Sequence, residues 1–276
     1  MESQLTGLSA SNPLAALAAY GLLRSVPGLR MRWTSDSPIV NLSEDDVNEA
    51  ALDATQHAAS VLPQEKIAPE TWLADLDDAI TRGDDRRAAV LQGWGCVHAL
   101  RESVEWCRTP LAMITGRQTI AGNYAKAKPY LNSDRMAATL FRVWDYDDDF
   151  NHTNLDNTYV GHGKMDQRPT DRKRQHGMAC AWVLAMLALP YYPCQLAGKS
   201  ALPINWHVAA DRRASHNWVT WTDWLDAETA GYLITSQLVT QDQLRDIHLI
   251  GVSRLYRAAY TLGNRAYRLS ETELIA

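Results

Sequence analysis

Phenylalanine is nearly absent, with two residues in a chain of 276. The aromatic content is carried instead by ten Trp and eleven Tyr, amphipathic rings that suit places where one edge meets water, backbone or a partner. Cysteine is also scarce. Cys96, Cys107, Cys180 and Cys194 fall in no CxxC pair, which excludes a disulfide framework or a zinc knuckle and points to a reducing, cytoplasmic setting. Long apolar runs are missing: the longest, Met178 to Leu189, has about a dozen residues and falls short of a bilayer span of about 20. The opening residues have no basic n-region, so no signal peptide is expected. Repeats, low-complexity tracts and linkers are lacking. So are the GxSxG, Walker A, HExxH and HxExxPCxxC patterns, which removes the motif-bearing hydrolases, P-loop enzymes and zinc deaminases.

A strong charge of either sign is missing as well. The net charge of −5 argues against a general nucleic-acid coat protein. Its distribution is uneven, however. Residues 1–110 hold 9 Lys+Arg and 16 Asp+Glu, whereas residues 111–276 hold 18 and 16. The front is acidic and the rear slightly basic, so a polyanion is expected to meet the rear.

What is present reads as one α+β domain over 1–276, helix-rich, with short strands near the N-terminus and a strand-rich C-terminal part. A sub-division into an acidic helical part, 1–110, and a mixed part, 111–276, is the alternative. Asn12-Pro13 is an N-cap followed by proline at the first helical position. The helix after it, roughly 13–25, places Leu14, Leu17 and Leu22 among small residues, as close packing against a neighbour requires. Leu29, Met31 and Trp33 alternate with Arg30 and Arg32 on a half-buried strand, and Pro38–Leu42 can pair with it. Residues 44–62, 69–82 and 84–107 read as helices, the first capped by Ser43 with Asp46. Leu111–Thr115 reads as a short strand, and Ser133 as the cap of a helix to about Trp144. A polar loop, 145–169, leads to a strong helix at 170–189. Strands follow at Tyr191–Leu196, Pro203–Val208 and Trp218–Trp221, then helices at 226–239 and near 241–249. Val252–Tyr260 and Arg265–Leu269 form a closing hairpin over Gly263-Asn264.

Three patterns carry candidate chemistry. Asp145, Asp147, Asp149 and His152 could gather Mg²⁺ or Mn²⁺ for phosphodiester cleavage; in a polar loop such residues are more often solvated, so no cofactor and no hydrolysis are expected. Lys164, Arg168, Arg172, Lys173 and Arg174, together with Arg117 after a predicted strand, are candidate phosphate contacts. Part of the 164–176 run is expected in the first turn of the 170–189 helix, where a bound phosphate would reconcile the cations with the helix dipole. Arg254, Arg257, Arg265 and Arg268 interleave with Tyr256 in a segment, 247–270, that contains no acid, a pattern suited to phosphate contact and base stacking. On this reading, replacing Arg254 and Arg257 weakens nucleic-acid binding and leaves melting unchanged.

The segment Leu5-Thr-Gly-Leu-Ser-Ala-Ser-Asn12-Pro13-Leu-Ala-Ala-Leu-Ala-Ala-Tyr-Gly21-Leu-Leu-Arg24, with the Leu29–Trp33 strand, resembles the start of a CRISPR-associated family. These are the large-subunit-like proteins of type I-G (formerly I-U) systems, many of which open on G-x-x-x-x-N-P-L-…-A-x-x-G-L-L. The similarity continues through Trp144-Asp-Tyr-Asp, Leu-Ala-Leu-Pro190, Tyr192-Pro193 and Gly251-Val-Ser-Arg-Leu-Tyr-Arg257. It implies a non-enzymatic subunit of an RNA-guided effector complex. Its partners would be other CRISPR-associated proteins, guide RNA and target DNA, with no membrane. Base pairing reads the sequence in such complexes, and protein holds backbone and flanking motif. The alternatives are a metal-dependent nuclease on the Asp145–His152 cluster and a protein-binding adaptor or regulator of a defence system.

Overall fold

The computed structural model describes residues 1–60, 62, 69–100, 103–109, 111, 119–150, 155–157, 177–197, 200–208, 214–236, 239, 244–263 and 266–276. They form a mixed α+β fold, as expected, with antiparallel sheets throughout. The α-helices are α1 (Pro13–Ser25), α2 (Glu44–Gln56), α3 (Pro69–Thr81), α4 (Asp85–Trp94), α5 (Ile120–Ala127), α6 (Ser133–Phe141), α7 (Ala179–Leu187) and α8 (Ala227–Ile234). The strands are β1 (Ser3–Gln4), β2 (Met31–Trp33), β3 (Pro38–Val40), β4 (Gly95–Leu100), β5 (Ser103–Arg108), β6 (Cys194–Ala197), β7 (Ser200–Pro203), β8 (Trp206–Val208), β9 (Ala214–Trp221), β10 (Val252–Gly263) and β11 (Ala266–Leu274). They assemble as β1-β3-β2, as β11-β10-β9-β8, and as the hairpins β4-β5 and β6-β7. No helix among the described residues is long and apolar enough to cross a membrane.

The first helix starts as its sequence dictates: Asn12 Oδ1 accepts the Leu14 N–H at 2.9 Å, with Pro13 behind it. Not only Leu14, Leu17 and Leu22 but every residue from Pro13 to Leu23 is buried. A helix apolar on all sides belongs inside, and α1 lies against the equally buried α7. The small residues permit that approach: a Cβ on Gly21 would stand 1.8 Å from the carbonyl oxygen of Leu184.

Aromatic rings join α1 to the sheets. Tyr20 stacks on Trp221 and meets Trp33 and Tyr191 edge-on. Its hydroxyl donates to the Val219 carbonyl and accepts the Val219 N–H at 3.1 Å, so this buried polar group is fully used. Trp221 Nε1 donates to Met31 O and Trp218 Nε1 to Ala10 O, tying the N-terminal strands and loop to β9. Backbone bonds between Met31 and Leu225 run in both directions, at 2.8 and 3.0 Å. The core therefore crosses residue 110.

Several element boundaries differ from the sequence reading. The 84–107 helix stops at Trp94; Gly95 is extended, and the Val-, Trp- and Cys-bearing stretch beyond it forms the β4-β5 hairpin. The 44–62 helix ends at Gln56 and tightens into a 3₁₀ turn, His57–Ser60. Asn132, not Ser133, caps α6, accepting the Arg135 N–H at 3.1 Å. The helix near 241–249 is a 3₁₀ segment, Leu244–Ile250. Of the Leu111–Thr115 strand only Leu111 is described, in no strand.

Candidate anion-binding surfaces

The closing hairpin forms, with Gly263 paired to Ala266 so that its turn falls one residue later than expected, but Arg254, Tyr256 and Arg257 are spent inside the molecule. Tyr256 is only 5% exposed. Its ring stacks on Trp218 at 5.8 Å, and Trp218 stacks in turn on His216 at 5.5 Å. A ring buried against Trp218 is not open to stack on a base, which corrects the role expected of Tyr256. Arg254 Nη1 donates to the Ser35 carbonyl and, at 3.4 Å, to the Tyr256 hydroxyl. Arg257 Nε donates to Asn217 Oδ1 at 3.0 Å. These guanidiniums thus fasten the β2–β3 turn and β9 to the hairpin. The strand β11 also continues past Leu269 to Leu274, and its register sets Glu273 opposite Arg257. The hairpin is therefore less purely cationic than the acid-free stretch 247–270 implied. Arg265 lies outside the described residues, and Arg268 is placed only by its register opposite Thr261.

Two carboxylates of the acidic run, Asp145 and Asp148, are tied down by the fold. Arg135 bridges Asp145 at 3.1 Å and Asp148 at 3.2 Å. Asp148, buried, accepts the Ala179 N–H at 2.8 Å and so caps α7. Burial raises the Asp148 pKa above the ordinary carboxylate value, against the opposing pull of the Ala179 N–H and Arg135. Tyr146 donates to Asp156 Oδ2 at 2.6 Å, and Asp156 Oδ1 accepts from Asn12 at 3.1 Å. Asp147 and Asp149 are exposed on either side of the buried Asp148. Among the described residues no three His, Cys, Asp or Glu side chains converge on a metal position; His152 lies outside them.

The capping by Asp148 corrects a second expectation. The helix begins at Ala179 instead of residue 170, after Gly177 bridges to Asp148. Its positive end is thus met by a carboxylate of the same chain, where a phosphate held by the 164–176 run had been expected. Lys164, Arg168, Arg172, Lys173, Arg174 and Arg117 all lie outside the described residues.

A surface that sequence reasoning missed lies where α1 ends, beside the starts of α4 and α8. There an open cleft of about 750 Å³ is lined by Arg24, Ser25, Arg86, Tyr191 and Tyr232, among others. Arg24 is half-buried and makes no hydrogen bond or ion pair with any described residue. Burial, with the like charge of Arg86, lowers its pKa from the usual guanidinium value despite the partial offset from Tyr191. The Ser25 hydroxyl is buried without a hydrogen-bond partner among the described residues. Arg86 is exposed; its neighbour Arg87 is the one that pairs, with Asp75 at 3.4 Å. Asp85 and Glu228 also border the cleft, but neither forms an ion pair with Arg24 or Arg86. Tyr191 is buried and donates to the Ala227 carbonyl at 2.8 Å, whereas Tyr232 is 71% exposed. The available signal was Arg24, the one charge in an otherwise uncharged helix, and the Arg86-Arg87 pair in a first helical turn, where cations oppose the dipole.

No known protein-family model matches the chain, and no curated protein matches it.

Proposed function

We propose that the chain is a non-catalytic, nucleic-acid-contacting subunit of a CRISPR-associated effector complex in the cytoplasm. The observation that carries the nucleic-acid part is the cleft beside α8. Two guanidiniums without ion-pair partners among the described residues stand there with an exposed tyrosine ring, the combination that holds a phosphate and stacks a base of a single strand. The effector-complex part is supported by the resemblance of residues 5–33. Lys164, Arg168, Arg172, Lys173 and Arg174 remain candidate contacts on the strength of their sequence.

Fluorescence anisotropy with labelled single-stranded DNA, single-stranded RNA and duplex DNA tests this. Single strands are expected to bind and to weaken as salt rises, about two- to threefold between about 50 and 200 mM for the one phosphate contact of the cleft. Mg²⁺ or Mn²⁺ should cause no cleavage. Absence of salt-dependent binding would overturn the proposal, and cleavage abolished in Asp147→Ala and Asp149→Ala variants would put the nuclease in its place.

One observation favours the adaptor reading. A smaller apolar cleft of about 300 Å³, lined by Trp221, Leu225, Leu233 and Ile250, opens on the other side of Tyr232. Leu249 beside it in sequence is 83% exposed, as at a protein-docking surface.

A further inference from the structure

We infer that Arg24, Ser25 and Arg86 form a subsite for a single phosphate group. The inference rests on the nucleic-acid reading of the cleft and deepens it by naming the group bound there. Arg24 leaves the last turn of a helix that is buried on all sides, so its stem is fixed beside the core. Its guanidinium is half-buried, with no counter-ion among the described residues. A desolvated charge left in that state is unfavourable until an anion joins it. The adjacent Ser25 Oγ is a buried polar atom with no hydrogen-bond partner among the described residues, a state that a bound acceptor would relieve. Arg86 adds a second cation in the first turn of α4, against the helix dipole.

One tetrahedral dianion answers all three conditions. Its oxygens can take charge-assisted bonds from two guanidiniums and the hydroxyl proton of Ser25 at the same time. Asp85 and Glu228 at the border keep the cationic area small. It fits one phosphate and offers no track for several. The rest of the wall, Pro27, Pro190, Tyr191 and Tyr232, is suited to the flat body of a nucleoside carried by that phosphate.

The test is calorimetric titration of the full chain with inorganic phosphate, adenosine 5′-monophosphate and adenosine at matched ionic strength, with melting followed in parallel. Phosphate should bind saturably and raise the melting temperature. Arg86→Gln, at an exposed position, should weaken phosphate binding about tenfold or more. Arg24→Met should do the same, yet melt no lower than wild type without phosphate, because it removes an uncompensated charge. Ser25→Ala should weaken binding several-fold, an order-of-magnitude expectation for one hydrogen bond. Monophosphate binding tighter than inorganic phosphate identifies a nucleotide as the source of the group; equal binding identifies free phosphate. No saturable response, or an unchanged response in Arg86→Gln, overturns the subsite. Phosphate binding without oligonucleotide binding overturns the nucleic-acid reading alone, and the converse overturns the subsite alone.

Discussion

Replacing Gly21 with alanine tests the central packing of the molecule, and its cost can be worked from one distance. The added Cβ would lie 1.8 Å from the carbonyl oxygen of Leu184, about 1.2 Å inside the 3.0 Å below which real contacts essentially never fall. The obstacle is backbone, so no rotamer change relieves it, and α1 and α7 must separate. Both helices are buried along their length, so separation loosens contacts on every side. Overpacking of this kind costs about 1–3 kcal/mol, and the rigid obstacle puts it at the upper end. Alanine returns about 1 kcal/mol of helix propensity over glycine, leaving a net loss of about 2 kcal/mol. For a chain of this size that is a fall in melting temperature of about 4–8 °C. Urea and thermal melts followed by tryptophan fluorescence measure it. A second substitution, Leu184→Ala, should give no rescue, because the atom struck is not in that side chain. A Gly21→Ala protein as stable as wild type would refute the close approach of the two helices.

Two further predictions follow from a buried histidine and a half-buried arginine. His216 is buried among Trp206, Trp218 and Tyr192, and burial lowers its pKa to about 3. The folded state therefore resists a proton that the unfolded state accepts from about pH 6.5 downward. Stability should be full above that pH and fall progressively toward pH 3, by about 2 kcal/mol at pH 5. Urea melts at pH 7 and 5 should show this loss in wild type and little of it in His216→Gln; an equal loss in both would reject the assignment. Arg254→Ala breaks the bond that ties the Ser35 carbonyl to β10, so the melting temperature should fall, by an amount equivalent to about 1–2 kcal/mol. Unchanged melting would show that Arg254 is a surface cation, as its sequence pattern suggested.

How much of this was legible depended on whether a residue's role was local. The start of α1 was, because Asn12-Pro13 acts within one turn. The pairing of β2 with β3 and of β10 with β11 was, because alternation and short turns fix them. The small residues of α1 announced a close neighbour without naming α7. The 84–107 segment was misread because a helical period carries straight across Gly95 unless the strand character of Val97, Val104 and Trp106 is weighed. The hairpin failed differently. Arg254, Tyr256 and Arg257 are spaced as on an open strand, and only the tertiary partners Ser35, Trp218 and Asn217 show that they are engaged. The cleft was hidden for the same reason: Arg24, Arg86 and Tyr232 are far apart in sequence, and folding alone gathers them on one surface.

The salt dependence of single-strand binding tests the functional claim most directly. Log K against log salt, measured with one labelled oligonucleotide, should be shallower for the Arg24→Met, Arg86→Gln double variant than for wild type. The expected difference is about 0.7 for the one phosphate contact removed from a single strand. Tyr232→Ala should weaken binding while leaving that slope unchanged, since stacking releases no counter-ions. Parallel lines for wild type and the double variant would contradict the assignment of the cleft as the place where this protein holds nucleic acid.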